Sequence, residues 1–236
     1  MGTILEVRGL RGGYGDAEIL RGIDFALGST EILMVAGPNG CGKSTMTKAV
    51  IGLLPRVSGE ILFDGKSVMN LAPEDRVRLG ISYVPQVANV FPSLSVMENL
   101  LVVELDKGRE KIGLDVIFDL FPALAMRKRN RAGSLSGGER QQLAFARGLI
   151  SRPRLMILDE PTANVSPNLV AEILSQVRRM PELGTAVLLV EQRAREGLSV
   201  ADRGMLLNQG EVVTVGPAAE LLADEALAEQ FLGHAH

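Results

Sequence analysis

The stretch Gly37-Pro38-Asn39-Gly40-Cys41-Gly42-Lys43-Ser44 has the spacing G-x-x-x-x-G-K-[ST], and it stands between an apolar run, Ile32–Ala36, and a segment with helical apolar spacing. Strand, glycine-rich loop and helix in that order leave few folds open, because the loop works only where a buried strand delivers it to a helix start. Glycines let backbone N–H groups turn inward toward anionic oxygens, the helix adds its positive end, and Lys43 adds a mobile cation at the terminal phosphates. Ser44 offers an oxygen to a magnesium ion, and Thr45 is expected to bind the nucleotide with the loop. Met46, Ala49, Val50 and Leu53 keep one apolar face, which predicts a packed helix. Cys41 has no activating base in view, so its side chain is expected to point away while its amide binds.

The rest of the chain agrees with an α/β fold around that loop. The runs Ile81–Val84, Leu155 to Leu158 and Ala186–Val190 are apolar without alternation, as strands of a mostly parallel sheet covered on both faces would be. Ile4 to Val7 and Ile23 to Leu27 read as more exposed strands, and Ile61 and Phe63 before Asp64-Gly65 as a strand entering a tight turn, so the amino-terminal part is expected to form an antiparallel layer. Between Val87 and Pro153 the pattern turns helical, opening on a capping box from Ser95 to Glu98. The expected organisation is one domain, 1–236, with a core of 1–86 plus 154–236 and an inserted helical subdomain at about 87–153. From Pro217 to Leu232, Leu221, Leu222, Glu225 and Leu227 suggest a terminal amphipathic helix, leaving no expected room for a regulatory domain.

Composition sets outer limits. With 236 residues and 46% hydrophobic side chains a full core can be buried. Lysine and arginine number 25 against 28 acids, net −3, so no global positive field recruits nucleic acid, and none is expected as a partner. The run Arg127, Lys128, Arg129 and Arg131 reads as a solvated face. A lone cysteine excludes an internal disulfide and fits a reducing compartment. No stretch approaches the roughly 18 consecutive apolar residues of a spanning helix, and no secretory pattern opens the chain, so membrane association is expected to be peripheral.

Three further features carry chemistry. Leu155 to Leu158 runs into Asp159 and Glu160, placing two carboxylates beyond a strand's carboxyl end, where ligands of open α/β sheets gather. Asp159 suits a magnesium ion, and Glu160 is then free to orient or deprotonate an attacking water. Gln86 and Gln192 follow two other buried strands, so both amides are expected at the same crevice. Finally, Leu135-Ser136-Gly137-Gly138-Glu139-Arg140-Gln141 opens a helix whose Leu143, Ala146 and Ile150 share a face. Ser136 and Glu139 form a capping box, but two glycines in the first turn cost about 1 kcal/mol each relative to alanine. That cost suggests close approach to bare backbone amides, an anion site.

These motifs together resemble the ABC ATPase family over nearly the whole chain. The resemblance implies that Tyr14 stacks on adenine, that Gln86 links magnesium (Mg2+) to the helical subdomain, and that Glu160 is the catalytic base for ATP hydrolysis. It implies too that two ATPase subunits, identical or related, close head to tail, so that Ser136, Gly137, Gly138 and Glu139 of one serve ATP bound by the other. The helical subdomain would dock on a transmembrane permease at the cytoplasmic face of the membrane, with a solute-binding protein acting through that permease. The switch position holds Gln192 where histidine is usual, and the loop after Thr162 reads Ala163-Asn164-Val165-Ser166-Pro167, an atypical form. The Val190-Glu191-Gln192 switch, Gly80 to Pro85, Val90 to Leu100, and Ala201 to Gly204 are similar to branched-chain amino acid importer ATPases of the LivF type, a group that also serves urea and short-amide uptake. The rival likenesses are the lipopolysaccharide-export ATPase, which carries the switch histidine, and soluble ABC proteins of DNA repair or translation, whose coiled coils or paired cassettes are not found here.

Overall fold

Twelve-residue strands open the chain because apolar and polar residues alternate through them and a Gly15-Asp16 turn joins them. The computed structural model describes residues 2–87, 89–103, 111–163 and 165–224. Strand β1 (Thr3–Tyr14) pairs antiparallel with β2 (Ala17–Gly28). Next come β3 (Ile32–Ala36), helix α1 (Lys43–Ile51), β4 (Arg56–Phe63), the short β5 (Lys66–Ser67), α2 (Pro73–Leu79) and β6 (Ile81–Val84). Helices α3 (Val96–Leu101), α4 (Leu114–Leu120), α5 (Pro122–Met126) and α6 (Gly137–Leu149) lie between β6 and β7 (Leu155–Asp159). The remainder alternates α7 (Pro167–Arg179), β8 (Ala186–Val190), α8 (Ala194–Val200), β9 (Arg203–Asn208), β10 (Glu211–Pro217) and α9 (Ala218–Ala223). Asn164, in the loop after Thr162, lies outside the described residues, as do Glu225 and Leu227 of the expected terminal helix.

Two sheets result. The antiparallel sheet runs β2-β1-β4-β5, and the larger runs β10-β9-β3-β8-β7-β6, parallel from β9 to β6 with β10 antiparallel at its edge. Both layers match expectation, although Ile4, Leu5 and Val7 of β1 are buried rather than half-exposed. Every residue of β3, β7 and β8 is buried, as continuous apolarity predicts. The two faces of β3 serve different cores: Met34 packs with Phe121, Leu143 and Phe145 of the helical side, whereas Leu33 and Val35 pack with Leu5, Leu27, Met46 and Ile61 beneath the antiparallel sheet. The loop after β3 therefore leaves a strand clamped from both sides.

Helix α1 departs from expectation at its end. Leu53 lies beyond the helix and is 52% exposed, not part of its apolar face. The cause is Gly52, which takes a left-handed conformation at φ 85° while its N–H donates to Ala49 O and that of Leu53 to Lys48 O. The buried Arg76 guanidinium caps the same end, donating to Ala49 O at 2.9 Å and Val50 O at 2.7 Å, where positive charge complements the helix dipole.

Candidate active site

The carboxyl ends of the central strands meet in register: Val35 lies opposite Val190, Asp159 opposite Val190, and Val84 opposite Leu158. Everything issuing from those ends shares one rim, and the phosphate loop is its centre. Gly37 has φ 153°, and a side-chain carbon there would stand 2.1 Å from Leu207 O, so only glycine lets the loop pass. Cys41 N–H donates to Pro38 O at 3.2 Å, and Cys41 O accepts from Gly210 N–H at 2.8 Å, pinning the loop to the turn between β9 and β10. The Cys41 thiol is buried in the core and its pKa is pushed up by that burial, as expected of a side chain turned away from the site. No side chain caps α1, so its first amides remain directed at the loop.

Lys43 is almost fully buried and its ammonium donates to Gly37 O at 2.8 Å and Pro38 O at 3.2 Å. A depression of about 250 Å³ is lined by Ile19, Asn39, Gly40, Gly42, Lys43, Ser44, Thr45 and Glu160. None of its lining comes from α6. Tyr14 ends β1, is 40% exposed, and has the Lys48 ammonium 5.7 Å from its ring centre; Ile19, not Tyr14, reaches the depression itself.

Ser44 Oγ donates to Asp159 Oδ1 at 3.2 Å, although 115 residues separate them. Asp159 is 5% exposed, and its other oxygen accepts from the Tyr83 hydroxyl at 3.1 Å. Burial, and then the charge of Asp159, holds the Tyr83 phenol far above its ordinary pKa, so it stays a donor. No group of three or more His, Cys, Asp or Glu placed to hold a metal ion occurs among the described residues. The pair Ser44 and Asp159 is a hard-oxygen, partial donor set, which fits a small divalent cation that brings phosphate and water oxygens with it. Gln86 lies elsewhere: its amide Nε2 donates to Glu160 Oε2 at 2.9 Å. Glu160 has φ 49°, a left-handed conformation uncommon outside glycine, and its N–H donates to Val190 O at 2.9 Å. Gln192 is exposed one residue further round the rim.

The capping box of α6 forms as read: Glu139 N–H donates to Ser136 Oγ at 3.2 Å and Ser136 N–H to Glu139 Oε2 at 2.8 Å. The Ser136 backbone bond is the main reason the Glu139 carboxyl sits below its usual range, and Arg127 assists, its Nε 3.1 Å from Glu139 Oε1. The basic run is thus more than a solvated face, since Asn130 O and Lys128 O also accept from Val96 and Met97 N–H at the start of α3. The two glycines differ. A carbon on Gly137 meets open space, but one on Gly138 would lie 1.5 Å from Leu169 Cδ2 of α7. What approaches Gly138 closely is therefore this chain's own helix, and only Gly137 keeps the open backbone inferred for both.

Sequence reasoning missed Tyr83 and Glu191. Glu191 is an acid directly after a wholly apolar strand, a signal that was available, whereas Tyr83 shares its strand with Ser82 and carries no such mark.

The chain has extensive likenesses. A family model described as ABC transporter matches residues 20–163. The probable branched-chain amino acid transport ATP-binding protein LivF of Archaeoglobus fulgidus is 39% identical over 227 residues, 95% of this chain and 96% of the relative. The lipopolysaccharide export system ATP-binding protein LptB of Escherichia coli K12 is 32% identical over 234 residues, covering 97% of each. Of solved structures, cbiO1 of Clostridium perfringens, part of the ABC transporter complex cbiONQ, matches at a TM-score of 0.79 and 27% identity over 97% of this chain and 94% of that one.

Proposed function

This chain belongs to the ABC transporter family and is an ATP-binding, ATP-hydrolysing transporter subunit, and from that premise we propose that it powers import of branched-chain amino acids. The observation that carries this reading is the end-to-end likeness to a LivF protein at 39% identity, against 32% for the lipopolysaccharide exporter. Gln192 in place of the exporter's histidine favours the same side. The working unit is a pair of ATPase subunits on permease subunits, at the cytoplasmic face of the membrane; no helix among the described residues is long and apolar enough to cross it. The helices between β6 and β7 act as a subdomain, about 87–153, set into a core of 1–86 plus 154–236.

The phosphate loop, Gly37 through Thr45, holds the triphosphate of ATP on its amides, and the Lys43 ammonium transfers from the loop carbonyls to phosphate oxygens. Tyr14 offers its exposed ring to adenine. Ser44 and Asp159, with Gln86 adding its amide oxygen while its Nε2 stays on Glu160, would hold Mg2+. When bound, that ion neutralises charge developing on the phosphates. Glu160 accepts the proton of the attacking water and aligns it with the terminal phosphorus, while Gln86 holds the carboxylate in place. Gln192 donates its amide N–H to the terminal phosphate; unlike histidine it does not titrate near neutral pH. Ser136, Gly137 and Glu139 serve the nucleotide of the partner subunit, consistent with their absence from this chain's own phosphate depression, while Gly138 serves the packing of α6 on α7.

Replacing Glu160 by glutamine tests the site. Nucleotide affinity is expected to persist while kcat falls by about a hundredfold or more; multiple turnover at the wild-type rate would remove Glu160 from this role. Leucine uptake by cells whose only copy carries Lys43→Ala tests the solute. Loss of uptake with intact outer-membrane assembly supports import, and the reverse pattern supports export.

A further inference from the structure

Two carboxylates are buried among the described residues, Asp159 and Glu191, and the mechanism above uses only the first. Glu191 is 2% exposed. Its Oε1 accepts from Thr162 N–H at 2.8 Å, and its Oε2 from Gln192 N–H at 3.2 Å. Its own N–H donates to Val35 O at 3.2 Å. Glu191, the residue that follows β8, thus joins the end of β3, which leads into the phosphate loop, to the turn after β7, and holds the N–H of its neighbour Gln192.

A carboxylate is an expensive choice for this place. Burial, the largest influence, pushes its pKa up, the Thr162 amide works against that, and the nearby Glu160 charge adds to the upward push. Holding one amide needs only a neutral acceptor, which costs far less to desolvate. What a carboxylate adds is two equivalent acceptor oxygens on one rigid group, and here each engages a different loop. The turn held by Oε1 begins at Glu160, whose backbone is left-handed and whose N–H is bonded to Val190 O. Its strained backbone can persist only where surroundings fix it.

We propose that Glu191 is a positioning residue for ATP hydrolysis, fixing Gln192 relative to the turn that carries Glu160. It touches no substrate. The inference rests on the reading of Gln192 as the residue that meets the terminal phosphate, and the test separates the two.

Glu191→Gln keeps the shape and one acceptor oxygen but sets an NH2 group against one of the two amide donors. In the full-length chain within its transporter, kcat is expected to fall about tenfold with the KM for ATP unchanged, the pattern of an interaction that matters only at the transition state, while the melting temperature falls because a buried donor is left unpaired. The decisive readout is coupling. In a Gln192→Ala background, adding Glu191→Gln is expected to cost little more, because residues acting as one unit are non-additive. If the Glu191→Gln chain is not recovered folded, Glu191→Asp, which retains charge but shortens reach, carries the same cycle. Wild-type kcat in the single variant, or losses that multiply in the double one, overturns the proposal while leaving a slow Gln192→Ala chain as support for the switch. A Gln192→Ala chain at the wild-type rate instead overturns the reading of Gln192, and with it this route for Glu191.

Discussion

Charge at the rim is held by individual residues in ways that dictate what each can do. The Lys43 ammonium is desolvated yet satisfied by two loop carbonyls, so it is pre-positioned rather than waving in solvent. Asp159 is similarly engaged at both oxygens, by Ser44 and Tyr83, whereas Glu160 is held by one amide and opens on the depression. Two acids adjacent in sequence thus occupy different environments and take different roles. Removing the ammonium in Lys43→Ala takes away a charged donor worth about 1.5–3 kcal/mol. Titration with a fluorescent ATP analogue is expected to show affinity weakened by roughly ten- to a hundredfold; unchanged affinity would place the triphosphate elsewhere.

At the scale of elements, helix α6 is where packing and function pull on neighbouring positions. Gly138 must lack a side chain because Leu169 of α7 lies against it, so Gly138→Ala is expected to cost about 1–3 kcal/mol in urea unfolding, as overpacked sites do. Leu169→Ala should restore part of that loss. Gly137→Ala, facing open space, is expected to leave stability equal or slightly raised, since alanine is the better helix former by about 1 kcal/mol, and to slow hydrolysis if the start of α6 serves a partner's nucleotide. The cap of the same helix has an acid dependence of known sign. Glu139 has a lowered folded pKa, so its contribution is complete above the ordinary carboxylate range and fades as pH falls through the folded value. Melting temperatures of Glu139→Gln should therefore approach those of the wild type in acid and fall below them at neutral pH; parallel curves would contradict the assignment.

For the whole molecule, the sheet that carries the phosphate loop is sandwiched between an antiparallel layer and a helical layer, each with its own apolar core. One of the two links between the helices and the sheet, beside the one from Ile150 to Arg154, is the segment after β6. There Asn89 Nδ2 donates to Gln141 Oε1 at 2.9 Å and Arg147 donates to Asn89 O at 2.6 Å, tying it to α6. No residue of α6 lines the loop depression of its own chain, and the proposal that a partner's α6 supplies it predicts a paired enzyme. ATPase activity per subunit of the isolated chain is expected to rise with protein concentration until pairing saturates; a constant value across that range would argue for a complete site in one chain.

What the sequence by itself determined lies in contiguous stretches: the phosphate loop with its strand and helix, the Asp159-Glu160 pair, both serine-glutamate capping boxes, and the buried strands. Each is set by backbone geometry over a few residues, which is why pattern and spacing reveal it. Tertiary structure alone decided that Tyr83 meets Asp159, that Glu191 spans Thr162 and Gln192, that Gly138 faces Leu169, and that Gln86 rests on Glu160 rather than beside Ser44. Those contacts join residues 76, 29 and 74 apart for the three with hydrogen bonds, and they follow from strand order and register. Neither is written in local periodicity, because a buried strand reads the same whichever neighbours it pairs with.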